Sequence, residues 1–187
     1  MHARLHLDAA IQAFGVLLRR EGKRASRLRL LKLLYMAARE SIRRHGRPIA
    51  GGKLVAMQHG PVNSPIYDLI NGEHVAEARW SQYFRNDGRD IVLEYEPDVG
   101  KLSRQDVELL NEIVDANSNL DDWSVANKTH AFPEWRKNYP DPFANTSRPI
   151  QLEELIEAVD RTMDSQSIIQ EIKDSEAFDV FFASLKQ

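Results

Sequence analysis

The sequence predicts an α+β fold that is mainly α-helical, a helical core with a small antiparallel β-sheet of about three strands. Three observations carry this. Apolar residues recur at helical spacing through most of the 187 residues. Two β-rich runs between residues 81 and 96 flank Asn86-Asp87-Gly88, a hairpin signal in which glycine supplies a positive φ. A shorter run, Lys53 to His59, alternates in part and is bounded by Gly51-Gly52 and Gly60-Pro61. With 42% hydrophobic residues, a chain of this length can bury a core without cross-links. The expected organisation is a domain over residues 1–148 and a C-terminal helical extension over 149–187, packed on or beside it.

The elements follow in order. Leu7, Ala10, Ile11, Phe14, Leu17 and Leu18 mark one helix face, and Gly22 breaks the pattern. Ser26 is placed to cap a long second helix. Leu30, Leu31, Leu34, Ala37, Ala38 and Ile42 form its stripe, which Leu28, Leu33 and Tyr35 widen, so this helix is expected to be buried on more than one side. Cationic residues in its last turn, then Gly46 and Pro48, end it. After the strand at 53–59, Gly60 and Pro61 are read as a turn. Asn63 or Ser64 then caps a short helix with Pro65 in its first turn and Ile66, Leu69 and Ile70 facing inward. Ser103 and Asp106 form a carboxylate variant of the capping box, with Leu102 and Val107 as a hydrophobic staple, ahead of the stripe Val107, Leu110, Ile113, Val114. Asp121 repeats the capping signal, with Leu120 and Val125 as staple. Trp123 and His130, seven apart, fall on roughly one face of that helix.

Phe132 to Pro149 is rich in Pro and Asn, lacks periodicity, and carries aromatics that read as exposed, so an irregular segment is expected. Three stripes follow: Leu152, Leu155, Ile156, Val159, Met163; then Ile168, Ile169, Ile172; then Phe178, Phe181, Phe182, Leu185. The last is apolar enough either to close the core or to bind another chain.

Net charge is −3, unevenly spread: residues 1–53 hold 13 Lys/Arg against 3 Asp/Glu, or +10, which leaves −13 on the remainder. Arg19, Arg20, Lys23, Arg24 and Arg27 form a basic patch around the first inter-helix turn. Arg29 and Lys32 extend it, and Arg39, Arg43, Arg44 and Arg47 stand at the other end of the second helix. Two readings compete. One is a footprint for nucleic acid or an acidic protein. The plainer one is a solvated helix face balanced by the acidic half of the same molecule.

Several chemistries find no support. The absence of cysteine removes disulfides, thiolate metal sites and a Cys nucleophile, and fits a reducing compartment. The six histidines form no HExxH and no facial-triad spacing, so neither metal nor cofactor is expected. There is no GxSxG elbow. Gly46 to Lys53 fails as a phosphate loop, because Gly52 intervenes and Leu54 stands where Ser or Thr is required. His59 and His130 remain as acid–base candidates, each with a bland alternative: His59 bonding backbone at the turn, His130 bonding carbonyls at a helix end. No stretch approaches the roughly 20 apolar residues that span a bilayer. The opening residues do not read as a signal peptide, so a cytoplasmic location away from membranes is expected.

The order of motifs is itself informative. "LRLLKLLYMAAR" runs into "GRPI", a strand ends in "QHGPV", "SPIYDLI" and a hairpin follow, and "LSRQDVELLNEIVD" leads into "DDWSVANKTH" and a Pro–Trp segment. This order, across roughly residues 5–140, resembles the Panacea domain of the SocA-like antitoxin family. Among the residues carrying it are His59, Gly60, Pro61, Val62, Tyr67, Trp123 and His130. The family often has an aromatic two residues before the Gly of GPV, or Lys/Tyr just before it. Met57, Gln58 and His59 depart from that. The resemblance implies a toxin–antitoxin role without catalysis: such proteins are typically encoded beside a toxin and neutralise it by direct binding. The SocA member acts as an adaptor that delivers its toxin to a protease. Expected partner-binding residues are Phe132, Trp135 and Tyr139 in the aromatic segment, and Phe178, Phe181 and Phe182 in the C-terminal stripe. The alternative remains a nucleic-acid-binding regulator that uses the basic N-terminal helices.

Overall fold

The computed structural model describes residues 1–139, 146–159 and 165–184. Helix α1 (Leu7–Arg20) leads through a three-residue strand β1 (Arg24–Ser26) into α2 (Arg27–His45). The Ser26 hydroxyl accepts from the Arg29 amide at 3.1 Å, and Gly46, at φ +70°, ends the helix. Next come β2 (Leu54–Met57), β3 (Gly60–Asn63), α3 (Ser64–Asn71) and a single turn α4 (Glu77–Trp80). Strands β4 (Phe84–Asp87) and β5 (Asp90–Leu93) form the expected hairpin, and Gly88 adopts φ +64° in its turn. Helices α5 (Arg104–Asp115), α6 (Asp122–Thr129) and α7 (Pro133–Asn138), strand β6 (Arg148–Ile150), and helices α8 (Leu152–Ala158) and α9 (Ser165–Ser184) complete the described chain.

The capping signals act as read. Ser103 and Asp106 form a reciprocal capping box on α5, and the Asp121 carboxylate accepts from the Ser124 amide at 2.7 Å at the start of α6. Of the two cap candidates for α3, Asn63 does the capping: its Oδ1 accepts from the Ile66 amide and its Nδ2 donates to the Gly51 carbonyl.

The fold is α+β and mainly helical, as predicted, but among the described residues the strands divide into two antiparallel sheets of three, ordered β1-β5-β4 and β3-β2-β6. The hairpin therefore gains its third strand from the short α1–α2 connection, where Arg24 lies opposite Val92 and Ala25 opposite Ile91. The Gly60-Pro61 corner is also corrected. The chain reverses at Gln58-His59, and Gly60-Pro61-Val62-Asn63 runs back along β2 as a strand. Pro61 is tolerated because β3 is an edge strand, where a missing N–H breaks no ladder. The Phe132–Pro149 stretch is less irregular than its composition suggests. Pro133 opens α7, and β6 joins β2 with Leu54 opposite Ile150. The last two apolar stripes belong to one continuous helix, α9. Met163 and Leu185 lie outside the described residues.

Two cores meet at α2. On one side Leu30, Leu33, Leu34 and Ala37 pack with α1, α5 and the β4–β5 hairpin, where Phe14 lies 4.7 Å from Trp80 and 5.3 Å from Phe84, ring centre to ring centre. On the other, Tyr35 and Ile42 pack with Leu54, Trp135, Ile150, Leu155, Ile156 and Ile168. A helix apolar on most of its circumference must be covered on both sides. Leu54, Trp135 and the residues after Pro149 supply the second cover.

Candidate interaction surface

Five rings from three elements lie in a row. The β2–β3 turn carries His59, whose ring meets the Trp123 indole edge-on at 5.3 Å and 80°. His130, the C-cap residue of α6, stacks on Trp135 of α7 at 4.3 Å and 17°, and Trp135 stacks on Tyr139 at 4.4 Å and 15°. The two groups join at His59, whose backbone takes a hydrogen bond from the His130 side chain. The Trp135 Nε1–H donates to the Met57 carbonyl at 2.9 Å, which ties α7 to the same hairpin. Parallel rings at this spacing supply attraction beyond their area, which stiffens the arrangement.

Exposure varies along the row. Trp123 is 57% exposed, whereas Trp135 is only 8% exposed. His59 is exposed, and His130 and Tyr139 are half-buried. The expectation that Trp135 is an exposed aromatic is therefore corrected: it is a core residue, held by its stack and its indole hydrogen bond. Phe132 is half-buried too, stacked on Tyr35 at 6.1 Å, with the Arg39 guanidinium 4.5 Å above its ring. Beside it the buried Glu134 carboxylate accepts from Arg39 Nε at 3.0 Å and from the Tyr35 hydroxyl at 3.1 Å. Burial, together with Glu134, pushes the Tyr35 phenol well above its ordinary pKa.

Beneath the row lies Lys32, fully buried on α2. Its Nζ donates to the Pro61 carbonyl at 3.0 Å, and burial lowers its pKa to about 7. Gly60 lets the hairpin come this close. It holds φ +95°, and a Cβ there would sit 2.3 Å from Thr129 Oγ1 and 3.3 Å from Lys32 Nζ. Burial, then the charges of Lys32 and His59, holds the His130 imidazole below its ordinary pKa, against the raising effect of its hydrogen bond to the His59 backbone. Among the described residues, His130 Nε2 has no hydrogen-bond partner. His130 thus bonds across to the hairpin rather than capping carbonyls of its own helix. A catalytic reading of either histidine gains nothing here: the group facing His130 is a cation, and His59 meets an indole.

Gly60, Pro61 and Val62 position the row from within β3, where Val62 is core. Tyr67 packs half-buried against the first core. Phe178 and Phe181 are 62% and 57% exposed on α9, and the Phe182 side chain lies outside the described residues.

The basic patch resolves into pairs. Arg20 bridges to Asp115 at 2.7 Å, Lys23 to Glu96 at 2.9 Å, and Arg24 to both Asp87 and Asp90. Arg27 donates to the Gly88 carbonyl at 2.6 Å, and Arg29 is buried against Glu21 and the carbonyls of Asn117 and Leu120. Toward the other end of α2, Arg39 meets Glu134, Arg43 and Arg44 meet Glu40, and Arg47 meets Asp106. Arg19 is exposed near Glu96. The +10 of the first third is largely engaged by carboxylates of the same molecule. That favours the plainer reading of the charge asymmetry, because a guanidinium already held by a carboxylate must exchange that partner for a phosphate.

Lys32 and Glu134 escaped the sequence reading. Lys32 counted there as one cation of the basic patch. The available signal was its place in "LLKLLY": on a helix apolar all round, the lysine is buried with its neighbours. Glu134, beside Pro133 in a segment without periodicity, offered no comparable signal.

Among the described residues no cluster of three His, Asp or Glu side chains could hold a metal ion, and no helix is long and apolar enough to cross a membrane. No curated protein and no solved structure matches the chain. The family model described as Antitoxin SocA-like, Panacea domain, matches residues 30–136. That span runs from Leu30 of α2 to Arg136 of α7. It takes in the β2–β3 and β4–β5 hairpins and all of the ring row except Tyr139. It covers more than half of the sequence, so this chain belongs to the SocA-like antitoxin family and carries its Panacea domain.

Proposed function

We propose that this protein is an antitoxin that neutralises a cognate toxin, encoded nearby, by direct protein–protein binding in the cytoplasm. The reading assigns it no catalytic step, metal or cofactor. Family membership over residues 30–136 is the observation that carries the proposal. The ring row supports it, since an exposed Trp on a rigid frame is a usual anchor of a protein interface and Trp123 is 57% exposed. Trp123, exposed at one end of the row, is its main anchor, with His59 next to it and Tyr139 at the other end. Residues 1–148 serve as the scaffold and 149–187 as the part that adapts it to one partner. Whether bound toxin is simply blocked or passed to a protease is a separate question for the same experiment.

The test is co-expression with the neighbouring gene. Toxicity of that neighbour alone, relieved by this chain and accompanied by a stable complex, is the expected result. Trp123→Ala should keep the fold and weaken the complex at least tenfold. A harmless neighbour that does not bind would end the proposal. The toxin's half-life in the complex, with and without the host's ATP-dependent proteases, separates blocking from delivery.

A further inference from the structure

Helix α9 has two unlike faces. Ile168 and Ile172 are buried in the second core, and the Glu176 carboxylate accepts from the Arg4 amide at 2.6 Å, where the helix meets the N-terminal segment. At about 100° per residue, the outward face of this helix is not a continuation of the isoleucine stripe. Relative to Ile172, Phe181 lies about 180° round the helix, and Asp174, Phe178 and Glu171 lie within about 80° of Phe181. Glu171, Asp174, Phe178 and Phe181 follow one another at intervals of three, four and three, so they form a single stripe. Both carboxylate residues are exposed, and the phenylalanines are 62% and 57% exposed.

We infer that this outward stripe of α9 is a docking face for a protein partner whose surface offers an apolar groove rimmed by Lys and Arg. Under the proposed function that partner is the toxin, so the inference rests on that reading and adds the chemistry of the contact. The exposed carboxylates favour a basic partner. The stripe begins with two carboxylates and ends with two aromatic rings, which suits helix-in-groove recognition with anchors at helical spacing. A basic groove is attracted by the former and filled by the latter. Nucleic acid is repelled by the carboxylates. The stripe shares no residue with the Trp123 row, so it adds a second element to the contact.

The experiment uses the full chain and the purified product of the neighbouring gene, with affinity measured by calorimetry at low and high salt. Two double variants are compared with the wild type: Phe178→Ala with Phe181→Ala, and Glu171→Lys with Asp174→Lys. The aromatic pair should weaken binding about a hundredfold with an unchanged melting temperature. The charge reversal should weaken binding at low salt and flatten its salt dependence. Wild-type protection with both variants binding normally would overturn the docking face and leave the antitoxin reading intact. So would a fall of several degrees in the melting temperature of the aromatic variant, because the stripe would then be core. A dimer of the chain alone that the aromatic variant dissolves would reassign the stripe to self-association. Absence of any wild-type binding or protection would remove the antitoxin reading and this inference together.

Discussion

Lys32→Met isolates the most unusual group in the protein. The ammonium is 1% exposed and makes one hydrogen bond, to the Pro61 carbonyl. Its pKa falls from 10.5 to about 7, with burial as the cause. The unfolded chain keeps its proton up to about pH 10.5, so between about pH 7 and 10.5 the unfolded state binds more protons than the native one. Stability must therefore rise with pH through that window, by up to about 1.4 kcal/mol per unit. Near pH 7 the protonation mismatch costs the native state roughly 4 kcal/mol relative to the alkaline limit. Methionine keeps the stem and discards the charge, but leaves the Pro61 carbonyl without its donor, a loss of about 1–3 kcal/mol. The variant should be more stable than the wild type at pH 7, by about 1–3 kcal/mol, and lose that advantage as pH approaches 10. Urea unfolding of both proteins from pH 7 to 10 measures this. His130 titrates below its ordinary range and Tyr35 above its own, so the difference in slope between the two proteins belongs to Lys32. Equal slopes, or a variant destabilised at pH 7, would show that Lys32 is not a buried ammonium with a lowered pKa.

Two other outcomes follow from geometry. Gly60→Ala combines an unfavourable φ with a Cβ only 2.3 Å from Thr129 Oγ1, so thermal unfolding should show a loss of about 2–4 kcal/mol; an unchanged melting temperature would contradict the close packing described. Because Arg20, Lys23 and Arg24 are engaged by carboxylates, fluorescence anisotropy with a 20-base-pair duplex, a length of about two helical turns, should show only weak association at physiological salt; tight binding with a steep salt slope would reopen the nucleic-acid reading.

Much of the local structure was legible because its causes are local. Ser26, Ser103 and Asp121 cap helices through side chains that reach amides two or three residues on, and such contacts need no distant partner. The β4–β5 hairpin was legible for the same reason, since a glycine at positive φ and two short β-rich runs suffice. The strand β1 was not. "RAS" has no strand character of its own and is extended because Ile91 and Val92 pair with it from more than sixty residues away. The corner at "QHGPV" was misplaced by two residues, because glycine and proline usually mark turns, and only pairing with β2 shows them inside a strand. The aromatics of 132–139 were read as exposed because nothing in their spacing reveals the Met57 carbonyl and the His130 ring that enclose Trp135.

Local signals alone mark most of the helices, their caps and the hairpin, which rest on interactions within a few residues, and the order of the motifs places the chain in its family. Long-range contacts supplied what local signals do not. They paired the basic first third with acidic residues from the rest of the chain, buried Lys32 beneath Gly60, and brought His59, Trp123, His130, Trp135 and Tyr139 into one row. The reason is physical. Charge balance and apolar periodicity constrain what each segment must find, but the partner it finds depends on which distant surfaces close against it, and that closure is set by the whole core at once.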